Sequence, residues 1–404
     1  MKLIVQKFGG SSVRDADRIR NVAGIIADTY RAGNQVIVIL SAQGDTTDEL
    51  IEKAKEINPR ASRREMDMLL SSGEQISISL CAMALEAMGL PVVSLLGWQV
   101  GIRTSSTHSD ARIKKIDHER IQQELDKNKI VLVAGFQGVN RFGDVTTLGR
   151  GGSDTSAVAL AAAFHADLCQ IYTDVDGVYT TDPRICPNAR KLQEITYDEM
   201  LELASQGAQV LHNRSVELAK KYHVNMEVVS SLERKPGTKI KEVVKVEKTS
   251  IAGVAKDTSI ARIALIGLAD NPGVAFRVFS LMGKAKINVD GIIQSIGREE
   301  SKDISFTLPR ADVEEAVRIL EEQKDSLGFS HITVNDKIAK VSIVGAGIMT
   351  TPGLAGKMFE ALYDADININ MISTSEIRIS VLIDEEHVNA AVRAVHDKFF
   401  GDEN

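Results

Sequence analysis

The chain has 404 residues, more than one compact core usually holds, and 44% of them are hydrophobic against 25% charged; this is an ordinary globular mixture with no signature of disorder, and it points to two or three cores. The formal net charge is −7, and Lys and Arg form no stripe interleaved with aromatics, which argues against nucleic acid as a partner. Met1 leads directly into Lys-Leu-Ile-Val-Gln-Lys, and no apolar stretch approaches the ~20 residues of a membrane span, so a cytoplasmic protein with no membrane partner is expected.

From residue 1 to about 231, short β-branched runs alternate with helical patterns: a strand over Lys2–Gln6, a helix over Ala16–Arg31, a strand over Gln35–Ala42. Further strands are predicted at Pro91–Leu96, Ile130–Ala134, Cys169–Thr173 and Met226–Ser230, with helices near Arg64–Met88 and Thr155–His165. This rhythm implies an α/β domain whose sheet is largely parallel and covered by helices. Cys81, Cys169 and Cys186 are scattered without paired spacing, which suits buried thiols better than a disulfide framework or a zinc site, and no metal-ligand set is expected.

A Lys- and Glu-rich stretch from about Arg234 to Thr249 lacks an apolar period and reads as a linker. Beyond it lies an internal repeat: residues 261–327 fall on 340–399 at an offset of about 80, with Pro272-Gly273 on Pro352-Gly353 and Ile287-Asn288-Val289-Asp290 on Ile367-Asn368-Ile369-Asn370. Each copy reads as strand, Pro-Gly turn, helix, strand, strand, helix. Copy one ends with an extra strand, His331–Asn335, whereas copy two has no residues left for one. The spare strand Ile251–Ala255 could fill that place, which would make the two units intertwined in sequence.

Three loops carry chemistry. Lys7-Phe8-Gly9-Gly10-Ser11-Ser12 follows the first strand, and two glycines there either form an ordinary tight turn or let backbone amides approach a polyphosphate beside a lysine. No Gly-x4-Gly-Lys-Ser/Thr pattern is present. Gly149-Arg150-Gly151-Gly152-Ser153-Asp154-Thr155-Ser156 opens an Ala-rich helix; Ser153 or Asp154 could cap it, but a cap does not explain an arginine held among three glycines. Tyr172-Thr173-Asp174-Val175-Asp176-Gly177-Val178-Tyr179 runs on to Thr181-Asp182-Pro183-Arg184, either a solvated loop or a polar frame for a nucleotide.

In this order and spacing the three loops resemble the amino acid kinase family, and the resemblance to its aspartate kinases runs from residue 1 to near the C-terminus. Ser41, Thr47 and Glu74 match positions that hold the aspartate substrate there. The resemblance implies that Lys7, Phe8, Gly9 and Gly10 hold the ATP phosphates, that Asp154 orients Lys7, and that both are catalytic. It further implies that Arg150, with Ser153, clamps a substrate carboxylate while Glu74 meets the α-ammonium group, and that Thr173, Asp174, Tyr179, Asp182 and Arg184 frame the nucleotide. Magnesium would bridge the phosphates, and the substrate β-carboxylate, already ionised near neutral pH, needs positioning more than a general base. The chain departs from the commoner pattern at Gln209, where many relatives have a lysine near the phosphates, and at Asn213, where a proline is frequent.

The doubled unit resembles the ACT domain, a module that binds free amino acids. Asp270, Gly273, Ala275, Asn288, Val289, Asp290 and Gln294 in copy one, and Asn368, Ile369, Asn370 and Glu376 in copy two, match effector positions of related enzymes; for each residue alone, closing a turn explains an Asn or Asp as well. Ala355 stands where a close relative type has a threonine near the effector. Gly345-Ala346-Gly347 is no dinucleotide fingerprint, because Thr350 replaces its third glycine.

The expected architecture is thus an α/β amino acid kinase fold, its mostly parallel sheet sandwiched by helices, over residues 1–233, then a linker at 234–249 and two βαββαβ ACT-type α+β units at 261–336 and at 250–257 plus 338–404. The expected activity is phosphorylation of L-aspartate by MgATP, with L-lysine, L-threonine or both as effectors and a homodimer or larger assembly through the ACT units. Two other readings are a kinase of the same fold acting on glutamate, and a non-catalytic amino-acid sensor in which Lys7, Arg150 or Asp154 would be eroded.

Overall fold

The computed structural model describes residues 1–207, 210–242, 250–295 and 301–401. They form two units, residues 1–179, 190–205 and 210–242 in the first, and 180–189, 206–207, 250–295 and 301–401 in the second.

The first unit runs β1 (Leu3–Phe8), α1 (Ala16–Arg31), β2 (Gln35–Leu40), α2 (Thr46–Ile57), α3 (Arg63–Leu70), α4 (Ser72–Ala87), β3 (Val92–Leu95), β4 (Ile102–Thr104), β5 (Ile113–Ile116), α5 (Glu119–Leu125), β6 (Ile130–Ala134), β7 (Gln137–Val139), β8 (Val145–Thr147), α6 (Gly152–Ala163), β9 (Leu168–Thr173), β10 (Glu194–Thr196), α7 (Tyr197–Ser205), α8 (Asn213–Tyr222), β11 (Met226–Ser230) and β12 (Thr238–Lys241). Eight strands form one sheet in the order β10-β12-β11-β9-β1-β2-β6-β3, parallel except for the antiparallel pair of β11 and β12. The central strands Gln-Val-Ile-Val-Ile-Leu and Ile-Val-Leu-Val-Ala are almost wholly buried, as unbroken apolar runs must be when helices cover both faces of a parallel sheet. Helix α1 starts where the Asp15 side chain accepts from the Arg18 amide and lays Ile19, Val22, Ala23 and Ile26 on the sheet.

Four short strands form a second sheet, β5-β4-β7-β8, which the sequence rhythm does not announce because three or four residues carry no readable period. The helix expected over Arg64–Met88 is two helices that part at Ser71. By length and composition this Arg63–Ala87 stretch is apolar enough to cross a membrane, contrary to the sequence expectation that none approaches that length. α4 packs Ile78, Cys81 and Leu85 into the core against α1 and the sheet and buries Glu74, while Ile76, Leu80 and Met83 on the same helix are exposed. Cys81, Cys169 and Cys186 are free and buried.

The second unit holds β13 (Gly253–Asp257), β14 (Ile260–Ala269), α9 (Val274–Lys284), β15 (Asp290–Gln294), β16 (Ser301–Pro309), α10 (Val313–Glu322), α11 (Lys324–Leu327), β17 (His331–Asn335), β18 (Ile338–Val344), α12 (Leu354–Asp364), β19 (Met371–Thr374), β20 (Arg378–Asp384) and α13 (Val388–Phe400). Its two sheets are β15-β16-β14-β17 and β13-β18-β20-β19. β13 pairs antiparallel with β18 from Gly253 opposite Val344 to Asp257 opposite Lys340, so the strand that precedes copy one completes the sheet of copy two. The repeat is conformational as well as sequential: Gly273 and Gly353 start α9 and α12 at φ 92° and 89°, and Lys286 and Asp366 end the turns behind them at φ 60° and 55°.

Candidate active site

The site grows from the carboxyl ends of β1, β2, β6 and β9, the edge at which open α/β sheets bind ligands. Phe8 lies in register with Leu40 on one side and Tyr172 on the other, and its ring stacks on that of Tyr172 at 4.4 Å between centroids. Past this point the chain bends. The Gly9 amide donates to Tyr172 O at 3.3 Å, Ser41 N to Phe8 O at 3.1 Å and Gly44 N to Gly10 O at 3.0 Å. A Cβ on Gly10 would stand 2.8 Å from Ala42 O and 3.0 Å from Gly44 O, so only glycine lets the loop after β1 lie against the loop after β2.

Lys7 Nζ is 2.7 Å from Asp154 Oδ1, and both side chains are 12% exposed. Asp154 sits in the first turn of α6, where the helix dipole favours an anion. Neither Ser153 nor Asp154 caps this helix: the N-cap is Gly151, left-handed at φ 67° and without a side-chain cap bond. The left-handed turn at Gly151 leaves residues 153 and 154 inside the helix, and a Cβ at Gly151 would lie 2.3 Å from the His212 side chain. Ser153 is buried and presses on the loop after β6, where a Cβ on Gly135 would come within 2.6 Å of Ser153 Oγ. Arg150 is exposed on the turn before α6, and its guanidinium has no partner among the described residues.

Glu74 is 3% exposed in the first turn of α4. Its Oε1 accepts from the Ala42 amide at 3.1 Å, next to Ser41, while Oε2 is buried without a hydrogen-bond partner among the described residues. Burial pushes its pKa up to about 8, against bonds from backbone amides that pull the other way. A buried carboxylate oxygen lacking a donor suits a cationic ligand. Thr47 is half-buried in the first turn of α2, in the segment that follows the Ser41–Gly44 loop.

In the loop after β9, Thr173 Oγ1 donates to Asp174 Oδ1 at 3.0 Å, and Tyr179 donates to Asp176 Oδ1 at 2.7 Å. That bond pushes the Tyr179 hydroxyl up to about 12. Lys191 Nζ reaches Asp176 Oδ2 at 3.0 Å and Pro236 O at 2.9 Å, so Asp176 and Lys191, absent from the sequence-level candidates, hold this loop. Asp182 and Arg184 belong to the second unit. They form a fork-shaped pair, with Arg184 Nε and Nη2 at 3.0 and 2.8 Å from the two Asp182 oxygens, and the guanidinium holds the Asp182 carboxyl below the usual range. Their segment is anchored by Ile185, Cys186 and Ala189 in the core of copy two and by a 2.9 Å contact of Thr180 Oγ1 with His396 Nε2. Gln209 lies outside the described residues. Asn213 opens α8 and donates from Nδ2 to Ser205 Oγ at 3.0 Å.

In the repeat, Asp270 pairs with Lys302 at 2.5 Å and Asp290 with the buried Lys340 at 3.0 Å. Burial raises the Asp290 pKa, but Lys340 more than offsets this and the carboxyl ends below its usual range. Gly273 is the left-handed start of α9; Ala275 and Val289 pack on the core of copy one, Ala355 and Ile369 on that of copy two. Asn288, Gln294, Asn368 and Glu376 are exposed, and Asn370 Nδ2 donates to Asp384 Oδ1 at 2.9 Å.

Arg214 was not legible as a site residue. From α8 its Nη1 donates to Leu148 O at 2.8 Å and Nη2 to Ala111 O at 2.7 Å, which secures the strand end leading to Arg150. An arginine on an amphipathic helix gives no sequence signal of such a role, because its partners are backbone carbonyls of distant segments.

With this geometry in place, comparison with known proteins is direct. Residues 2–230 match the amino acid kinase family, and residues 263–323 and 341–399 each match the ACT domain. The chain is 50% identical to an aspartokinase of Corynebacterium glutamicum over 99% of its own length and 96% of that protein. It is similar to E. coli aspartokinase III solved with aspartate and ADP in the R-state, at 25% identity and TM-score 0.83, over 99% of this chain and 100% of that one. The same enzyme solved with lysine and aspartate in the T-state matches at 25% identity and TM-score 0.77, with the same coverage. A sheet edge that joins Lys7 to Asp154, two ACT repeats that follow in sequence, and half-identity along the whole length together make the chain a member of the amino acid kinase family, among its aspartokinases.

Proposed function

We propose that the chain transfers the γ-phosphoryl group of MgATP to the β-carboxylate of L-aspartate, giving 4-phospho-L-aspartate for the synthesis of lysine, threonine and methionine. The observation that carries this reading is the joint presence, at one sheet edge, of the Lys7–Asp154 pair and of the buried Glu74 oxygen without a donor.

Both reactants are anions, so catalysis is largely alignment and charge neutralisation. Lys7, oriented by Asp154 at the start of α6, would neutralise charge on the transferred group while the Gly9-Gly10 backbone, free of side chains, lets the phosphates come close. Phe8 supports this turn through its stack on Tyr172. Magnesium would enter as part of the nucleotide substrate and supply positive charge against its phosphates; Thr173, Asp174, Tyr179, Asp182 and Arg184 would frame that nucleotide. For the acceptor, Glu74 would receive the α-ammonium group, Arg150 would grip a carboxylate through its planar fork, and Ser41, Thr47 and Ser153 would complete the polar wall. The β-carboxylate is ionised near neutral pH and attacks phosphorus directly, with ADP leaving and no proton to be removed.

The ACT units would bind L-lysine, L-threonine or both at Asp270, Gly273, Ala275, Asn288, Val289, Asp290 and Gln294 and at Asn368, Ile369, Asn370 and Glu376, and would pair between copies in a homodimer or larger assembly. Feedback of roughly 1–3 kcal/mol between effector and substrate sites suffices for useful inhibition. Free amino acids and ATP as reactants fit a cytoplasmic enzyme. On this reading the kinase domain runs past 233 to include β12, which lies in its sheet within the expected linker 234–249, the rest of that linker from 243 lies outside the described residues, and the effector units span 261–336 and 250–257 plus 338–404.

Trapping the acyl phosphate with hydroxylamine, in the presence of MgATP and either L-aspartate or L-glutamate, tests this directly. Aspartate hydroxamate that declines with lysine, threonine or the two together is the expected result. Glutamate hydroxamate alone would assign the chain to a different acceptor, and product unaffected by either amino acid would remove the assigned effectors.

A further inference from the structure

Asp67 is completely buried in a helix that the chemistry above does not use. Its carboxylate collects four donors from segments far away in sequence, the most distant being Ser109 Oγ at 3.5 Å from Oδ1. Thr147 Oγ1 donates to Oδ1 at 2.6 Å, the Ser109 amide stands 3.1 and 3.0 Å from the two oxygens, and His108 Nδ1 is 2.9 Å from Oδ2. An ionised carboxylate only accepts, so His108 carries its hydrogen on Nδ1.

Each side of this hub leads to one end of the acceptor site. Asp67 precedes Glu74 by about two helical turns, and both are buried on the stretch formed by α3 and α4. The junction is held too: Ser71 N donates to Asp67 O at 3.1 Å, and Gln137 Nε2 donates to Ser71 O at 2.9 Å. On the other side, Thr147 ends β8 and leads through Gly149, at φ 77°, into Arg150. The Ala111 amide donates to Thr147 O at 2.9 Å, and Ser109 adopts φ 68° to face Asp67. Arg214 grips Ala111 O and Leu148 O from the far side.

We propose that Asp67 is a positioning residue for the acceptor: one buried carboxylate on α3 ties the α3–α4 stretch, whose second helix carries Glu74, to the turn that carries Arg150, and so sets the distance between the group that meets the ammonium and the group that meets a carboxylate. The inference rests on the substrate roles assigned above. A charge is required because four donors converge on two oxygens and charge-assisted bonds are the short, stiff ones. An Asn here would keep one acceptor oxygen and turn its amide hydrogens on the remaining donors.

Steady-state kinetics on the full chain test this, with aspartate and ATP varied in turn. Thr147→Val removes one hydroxyl without changing shape, and the aspartate KM should rise about fivefold or more while the ATP KM stays within about twofold. Thr147→Ser restores the hydroxyl and should return the aspartate KM to within about twofold of the original. Asp67→Asn should raise it about tenfold or more, and should that variant fail to fold, the Thr147 pair decides alone. A parallel rise of both KM values, or an unmoved aspartate KM in Thr147→Val with active wild-type protein, overturns the inference by itself. Wild-type protein that forms no aspartyl phosphate overturns the substrate reading and takes this inference with it.

Discussion

Lys7 Nζ stands 2.7 Å from Asp154 Oδ1, a contact between the end of the first strand and the first turn of a helix much later in the chain. The pair is nearly closed off from solvent but not sealed, which leaves the ammonium group available to a phosphate while Asp154 keeps it aimed. Lys7→Ala should therefore lower turnover by about 10²-fold or more, the range seen when one electrostatic donor to a transition state is lost. Asp154→Asn should leave the ammonium in place but poorly directed, so its turnover should fall less than that of Lys7→Ala. Hydroxamate formation at saturating substrates measures both, and near wild-type turnover in Lys7→Ala would remove the assigned role.

Glu74 gives a pH dependence of known sign. Its pKa in the folded protein is about 8 against an ordinary value of 4.5, so the folded state keeps a proton that the unfolded chain has already lost between those values. Stability should consequently fall as pH rises across that window. An ammonium ligand binds the ionised form, so the aspartate KM should fall as pH rises towards about 8. Glu74→Gln should flatten both trends, with a melting temperature that gains on wild type as pH is raised. Thermal melts and aspartate titrations from about pH 5 to about pH 8 measure this, and an equal pH slope in the variant would refute the assignment.

Gly151 is expected to tolerate no side chain. At φ 67° a residue with a Cβ is strained by about 1–2 kcal/mol, and that Cβ would also strike His212 at 2.3 Å. Gly151→Ala should thus lower the melting temperature and, by shifting the Arg150 turn and the start of α6, reduce kcat/KM for aspartate by about tenfold or more. Gly143, at φ 85° with open space around its missing Cβ, is the control. Gly143→Ala carries only backbone strain, and calorimetry should find it the milder change.

Asp290 is half-exposed, yet its partner Lys340 is buried with 7% of its side chain accessible. An effector that engages Asp290 must share it with this lysine. Asp290→Asn should raise the lysine or threonine concentration needed for half-inhibition by roughly fivefold or more, corresponding to about 1 kcal/mol of coupling. Inhibition curves with each amino acid singly and together test it, and an unchanged midpoint would exclude Asp290 from the effector site.

Much of this molecule is written locally. The unbroken apolar run Val36–Leu40, the glycines on either side of Arg150 and the Pro-Gly turns spaced 80 residues apart each constrain their own backbone, so strands, turns and the repeat follow from composition and period over a few residues. The same holds for Lys7, Gly9 and Gly10 and for the Arg150 turn, which are chemically unusual where they stand. Packing decided the rest. Nothing around Glu74 in sequence announces that Oε2 lies buried without a donor. The Asp67 hub draws its donors from residues 108, 109 and 147, and β13 finds its partner beyond the whole of copy one. Periodicity reports which face of an element turns inward; which distant segment meets that face, and how far a charge is removed from water when it does, exists only once the chain has folded.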